Sequence, residues 1–319
     1  MPQATLDPEI AIFVQTLARA WADHPPFMTL ALPEARAVAE VVRAPWRAGG
    51  PRMARTTEHT VETSTGPARV RLHDPGLPAP APVLIYLHGG GFTLFSLDTH
   101  DRLMREYAAA GGFRVAGVDY PLSPEARYPT ALDQILEVIA WLAGRGGEDL
   151  GIDPGRIAIG GDSAGANLSM AAALRLRDSG DGRLLKGLLL NYGAFGARCS
   201  DASEAAFGGP TALLNRDEVD YYFDNYLGAA DACADDPYAR PCVADLTGLP
   251  PAFLVIPDRD VLAEQSRDML ALLTAAGVPA EAREYVGATH SFLEAMSISA
   301  LARQAIADGA AWVRARLAG

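Results

Sequence analysis

Apolar residues recur at helical spacing near the start of the chain. Asp7 is placed to cap a helix opening at Pro8, and Ile10, Phe13, Val14, Leu17 and Trp21 then share one face. His24, Pro25 and Pro26 predict its end. A second helix is predicted from Pro33, carrying Val38, Val41 and Val42 and stopping before Pro45. The period then shifts to two in Thr56–Glu62 and Ala68–Leu72, as suits antiparallel edge strands.

After the proline-rich turn at 75–82 the alternation disappears. Val83–Leu87, Phe113–Val118, Arg156–Gly160, Leu185–Leu190 and Ala252–Ile256 are short apolar runs, the pattern of strands buried on both faces. Helical segments separate them: Thr99–Ala110 ending at Gly111–Gly112, Ala131–Ala143, Ala164–Asp178, and Ala263–Ala276 ending at Gly277. A last strand at Glu281–Tyr285 and a last helix over Ser297–Leu317 complete the series. Strands alternating with helices predict an α/β class protein with a mostly parallel central sheet flanked by helices. Residues 191–249 break the rhythm and are rich in aromatics, among them Tyr221, Phe223 and Tyr226. A structureless loop of that length is unusual, so the stretch is expected to be a helical insertion over the C-terminal edge of the sheet, where ligands bind in such folds. Tyr192, Phe195, Phe207 and Tyr222 are its candidate substrate contacts. The domain expectation is therefore a helical segment over 1–50, acting as a cap or as mere decoration, and a catalytic domain over 51–319 with a cap insertion at 191–249.

Composition narrows the partners. The chain has 319 residues and a formal charge of −12. Nucleic acid and anionic membranes need a basic face and are disfavoured. There is no basic-then-apolar leader, and the apolar runs fall short of a membrane span. Cys199, Cys233 and Cys242 form no C-x-x-C pair, which favours free thiols in a reducing cytoplasm, with a Cys233–Cys242 bridge as the alternative.

Two glycine-rich segments carry the candidate chemistry. Gly161–Asp162–Ser163–Ala164–Gly165 joins a predicted strand to a predicted helix, the setting of the G-x-S-x-G nucleophile elbow. A serine raised on such a turn needs tiny neighbours two residues either side, where a side chain would meet the adjoining strand or helix. His88–Gly89–Gly90–Gly91 follows Val83–Leu87 and offers bare amides to a developing oxyanion, together with the Ala164 amide. No G-K-[ST] follows, which argues against phosphate. His88 itself reads as structural. Serine needs a base and an orienting acid. Of the six histidines only His290 follows the last predicted strand, and Asp258 and Asp260 both follow Ala252–Ile256. Spacing alone leaves that choice open.

Together these residues resemble the bacterial hormone-sensitive-lipase-like esterases of the α/β-hydrolase superfamily. The matching stretches are His88–Phe92, Asp119–Glu125, Gly161–Gly165, Asp260–Leu262 and His290–Phe292, in the family's order. The family's D-P-L-x-D-like motif registers on Asp260–Val261–Leu262–Ala263–Glu264, with Val for Pro and Glu for the second Asp. The resemblance thereby implies Asp260 as the acid beside Ser163 and His290. It further implies Gly90, Gly91 and Ala164 as oxyanion donors, an α/β-hydrolase fold with a helical cap, and short-chain carboxylic esters as small-molecule substrates. No metal and no organic cofactor are called for. The family's Y-R-L-A-P-E is Tyr120–Pro121–Leu122–Ser123–Pro124–Glu125 here, which loses an arginine and puts its salt bridge in doubt. The run Phe95–Asp98 suggests no role. An amide or lactone hydrolase with the same triad is the alternative. A ligand-binding protein that kept the fold, as plant gibberellin receptors have, would be expected to lack the histidine. A homodimer stays open.

Overall fold

The computed structural model describes residues 5–209, 212–229 and 232–318. The first helix, α1 (Pro8–Ala22), is capped by the Asp7 carboxylate, which accepts from the Glu9 and Ile10 amides. It buries Ile10, Phe13 and Leu17. The second, α2, runs Leu32–Arg47 and so passes through Pro45, where the sequence predicted an end. A proline in the final turn removes one N–H, and the carbonyl it leaves is that of Val41, whose side chain is 64% exposed. Beyond it Trp46 packs edge-on against Phe13 at 4.6 Å, which rewards the extra turn. The predicted apolar face is thus partly wrong: Val42 is buried with Ala35, Ala39 and Arg43, while Val41 faces water.

Then follow β1 (Arg55–Val61), β2 (Ala68–Asp74), β3 (Ala81–Leu87), α3 (Asp101–Gly111), β4 (Arg114–Asp119), α4 (Thr130–Ala143), α5 (Arg145–Asp149), β5 (Ile152–Asp162), α6 (Ala164–Asp178) and β6 (Leu185–Asn191). After these come α7 (Asp201–Phe207), α8 (Arg216–Leu227), β7 (Ala252–Pro257), α9 (Ala263–Ala275), β8 (Ala280–Tyr285) and α10 (Ala300–Leu317). α10 starts later than predicted because residues 292–297 form a 3-10 turn, after which the Ser299 hydroxyl caps the helix.

The described strands make one eight-stranded sheet in the order β1-β2-β4-β3-β5-β6-β7-β8. β1, β2 and β4 pair antiparallel, and every pair from β4 to β8 is parallel. Alternate residues of the central strands point to opposite faces. Val83, Ile85, Leu87, Ile157 and Ile159 join α4, α6 and α9 in one apolar layer. Leu84, Tyr86, Ala158 and Leu189 join α1, α3 and α10 in the other. Covering on both faces explains why these strands read as unbroken apolar runs. The sheet order turns around β3, so the crevice lies at the C-terminal ends of β3, β5 and β6. Register sets Leu87 opposite Gly161, and Asp162 opposite Asn191, at that edge.

Candidate active site

Ser163 is the hinge between β5 and α6. Its backbone sits at φ 54°, ψ −117°, a region that costs a non-glycine residue roughly 1–3 kcal/mol and needs enforcement by its surroundings. The two flanking glycines supply that freedom. A Cβ on Gly161 would lie 2.3 Å from the Leu87 carbonyl oxygen, and one on Gly165 would lie 1.9 Å from it. The elbow therefore presses against the end of β3, and α6 starts directly under the serine with the Ala164 amide as its first free donor.

His290 and Asp260 come to this hinge from later strands at the same C-terminal edge of the sheet. The loop after β7 carries Asp260, and the loop after β8 carries His290. His290 Nε2 lies 3.0 Å from Ser163 Oγ, and His290 Nδ1 lies 2.7 Å from Asp260 Oδ2. Asp260 Oδ1 accepts from the Leu262 amide at 2.9 Å. Asp260 is 1% exposed, so this carboxylate is oriented by the protein and not by water. Asp258, the other sequence candidate, accepts the Gly287 amide at 2.7 Å and holds the β8 loop instead. Of the described histidines only His290 bonds Ser163.

The glycine loop is anchored by a group whose role sequence reasoning missed. The Asp162 carboxylate is buried beside the serine. It accepts from the Tyr86 hydroxyl at 2.9 Å and the Gly89 amide at 3.2 Å, and its other oxygen lies 3.3 Å from His100 Nε2. Burial pushes the Asp162 pKa up, but His100 and the Tyr86 hydroxyl outweigh it and leave it below the usual carboxylate value. Burial likewise pulls His100 down, yet the Asp162 charge wins and raises it. His88 is driven down to about 4 by burial and by His100, so it is neutral. Its Nδ1 bonds the Gly89 carbonyl at 2.7 Å and its ring stacks on Tyr120. In the following turn Leu94 N bonds Gly90 O at 2.8 Å, while the Gly90 and Gly91 amides donate to no acceptor among the described residues. A Cβ on Gly91 would fall 2.1 Å from the Tyr222 ring, so this loop is packed tightly under α8.

The run Phe95–Asp98 acquires a structural meaning. Ser96 bonds Glu40 of α2, the Leu97 amide bonds Asp119, and Asp98 pairs with Arg71 of β2 at 2.6 Å. Glu125 is held bidentately by Arg36 of α2, whose guanidinium also donates to the Thr93 and Ser123 carbonyls.

A cavity of about 350 Å³ opens over Ser163 and His290. Its walls come from the α1–α2 connection, the glycine loop, and residues 212–223. Of the four predicted contacts, Tyr222 lines it. The other three are corrected by the structure, which places them outside the lining. Tyr192 is fully buried with its ring edge-on to His290 at 5.1 Å. Phe195 is fully buried in the apolar layer below. Phe207 lies under the Arg259 guanidinium. Tyr192 and Phe195 adjoin β6 and pack into the sheet layers, where a ring finds more apolar area, while Phe207 ends α7 half-buried against the outer side of the core. Unforeseen wall residues are Trp21, Phe27, Arg43, Glu218 and Glu294. Arg43 and Glu294 form a buried pair at 3.0 Å. Cys199, Cys233 and Cys242 are free, without the Cys233–Cys242 bridge.

A family model described as alpha/beta hydrolase fold matches residues 84–294. Among solved structures, a hyperthermophilic esterase from the archaeon Pyrobaculum calidifontis is 32% identical, with 98% of each chain covered and a TM-score of 0.91. A thermophilic, thermostable carboxylesterase cloned from a metagenomic library is 31% identical over 90% of this chain and 98% of its own, with a TM-score of 0.86. A thermostable esterase from Pseudomonas putida is 27% identical over 99% of this chain and 98% of its own, with a TM-score of 0.89.

Proposed function

The chain belongs to the α/β-hydrolase fold family as a hormone-sensitive-lipase-like member, and from that premise we propose that it hydrolyses short-chain carboxylic esters through an acyl-enzyme on Ser163. It is a serine carboxylesterase. The observation that carries the residue assignment is the relay Ser163–His290–Asp260, at 3.0 and 2.7 Å, on the floor of a cavity of about 350 Å³.

His290 Nε2 takes the Ser163 proton as Oγ attacks the ester carbonyl. Asp260 holds the proton on Nδ1, fixes the ring and stabilises the imidazolium. The amides of Gly90, Gly91 and Ala164 receive the oxyanion, and each such donor is typically worth about 10²–10³ in rate. His290 then gives its proton to the departing alcohol. Water enters along the same path and His290 repeats both transfers, releasing acid and regenerating Oγ–H. Ester over amide is favoured by the esterases among the solved neighbours.

In this reading the helices of residues 1–50 and the 191–249 insertion form one cap, since both supply cavity walls. The volume suits small acyl groups. Three unpaired thiols favour the cytoplasm. No helix among the described residues is long and apolar enough to cross a membrane. The test is a p-nitrophenyl ester series of increasing acyl length, with and without a serine-directed phosphonate. Rates that peak at short chains and stoichiometric label on Ser163 support the assignment. Label on another residue would overturn it.

A further inference from the structure

Helix α8 places Glu218 and Tyr222 one turn apart, so the two share a face. Both line the cavity over Ser163 and His290. Glu218 Oε2 accepts the Asn215 amide at 3.0 Å in a capping box, which fixes the carboxyl without neutralising it. Among the described residues Glu218 makes no ion pair; the arginine on the cavity wall, Arg43, is taken by Glu294 at 3.0 Å. The wall beside Glu218 is aromatic. Phe27 stacks on Tyr222 at 5.9 Å, with rings 16° apart, and lies 5.7 Å from Trp21. All three rings line the same cavity.

A carboxylate without a counter-ion, set among aromatic rings above a nucleophile, is the chemistry that receives an organic ammonium ion: ring quadrupoles attract it and the carboxylate balances its charge. Resting on the esterase reading, we infer that this cavity selects esters bearing an ammonium group, with Glu218 as counter-ion and Trp21, Phe27 and Tyr222 as its walls. An anionic ester would meet the same carboxylate and be rejected.

The charged and titratable groups facing Glu218 are His290 of the β8 loop, Asp217 on α8, Glu204 on α7, and the Arg43–Glu294 pair across the cavity. Burial raises the Glu218 carboxyl to about 7, partly opposed by the Asn215 amide and His290. A raised carboxyl is neutral below that pH and charged above it. Selection for a cation therefore strengthens as pH rises through about 7.

The test compares butyrylcholine with 3,3-dimethylbutyl butyrate, in which carbon replaces the charged nitrogen. The readout is the ratio of their kcat/KM values. Disturbance of α8 or of the catalytic relay acts on both esters and cancels. At pH 8.5 the wild type is expected to prefer the choline ester roughly tenfold, the factor that about 1.4 kcal/mol of extra binding supplies. In Glu218→Gln, which retains an acceptor for Asn215, the ratio should fall to about one and lose its pH dependence. Phe27→Leu should lower it about threefold and decides the matter should the first variant not fold. A wild-type ratio of one or less, or a ratio that survives Glu218→Gln, overturns the inference. Failure of both esters together with p-nitrophenyl butyrate would strike the esterase reading instead.

Discussion

Replacing Asp162 by alanine removes the acceptor of three buried donors at once: the Tyr86 hydroxyl at 2.9 Å, the Gly89 amide at 3.2 Å and His100 Nε2 at 3.3 Å. Asp162 is 2% exposed, Tyr86 0% and His100 1%, so water cannot take over without opening the core. A stranded buried donor costs about 1–3 kcal/mol, and removing one partner of a buried pair about 3–5 kcal/mol. The three losses overlap, so about 4 kcal/mol is expected for Asp162→Ala. Asparagine behaves differently. Its carbonyl still accepts from Tyr86 and Gly89, and its amide can donate to His100 Nε2 once that ring is neutral. The neutral ring keeps its proton on Nδ1, 3.0 Å from Thr99 Oγ1, whose own proton goes to the Ser96 carbonyl. Asp162→Asn should therefore cost only about 1–2 kcal/mol.

Urea unfolding separates the two. With a slope of about 3 kcal/mol/M, alanine should lower the midpoint by about 1.3 M and asparagine by at most about half of that. The ion pair also leaves a pH signature. His100 is raised in the folded state, so its contribution is complete below its ordinary value of 6.5 and fades as pH climbs through the folded value. Asp162 is lowered, so its contribution is present above 3.8 and fades as pH falls through its folded value. The gap between wild type and Asp162→Asn should accordingly narrow above pH 6.5. An alanine variant within 1 kcal/mol of wild type, or less damaging than asparagine, would refute the reasoning.

Ser163→Ala should lower turnover by about 10⁴–10⁶ and leave the urea midpoint nearly unchanged, as burst titration and unfolding on one preparation will show. Asp260→Asn should lower kcat by about 10⁴ with KM little altered, because His290 loses the tautomer that accepts from serine; near-normal kcat in steady-state assays would remove Asp260 from the relay. Gly165→Ala puts a methyl 1.9 Å from the Leu87 carbonyl oxygen, so α6 must back away from β3 and the melting temperature should drop by several degrees. An unchanged melting curve would mean that the elbow is not clamped.

The central sheet was legible because each buried strand is local in sequence. Val83–Leu87 and Ala252–Ile256 are apolar at every position, and the structure closes β3 and β7 within a residue or two of those limits. The elbow was legible for a related reason: G-x-S-x-G is a steric requirement, visible here as two forbidden Cβ positions against one carbonyl. Asp162 stood in the same motif without a role, since the letter at the variable position says nothing of Tyr86 and His100, which reach it from β3 and from the start of α3. Pro45 misled because a helix-breaking residue was weighed without Trp46 behind it, whose burial holds the last turn in place.

The cavity wall was least legible, and the reason is its origin. Trp21 comes from α1, Phe27 from the turn between α1 and α2, Arg43 from α2, Glu218 and Tyr222 from α8, and Glu294 from the turn before α10. Each has an ordinary local explanation: Trp21 ends an apolar stripe, and Glu218 completes the Asn215 capping box. Aromatic richness in the insertion was a true signal of something to bury, but burial offers two destinations. Tyr192, Phe195 and Phe207 went to core-facing packing sites, while Tyr222, one turn beyond Glu218, was left over the glycine loop with its ring against Gly91. Tyr192 and Phe195, adjoining β6, are taken into the sheet layers before they can reach the opening, whereas on α8 Tyr226 lies in the core one turn beyond Tyr222. Neither distance from β6 nor residue type alone divides wall from core along the insertion, and the charged residue one turn from Tyr222 on the same helix face is the one that gives the wall its chemistry.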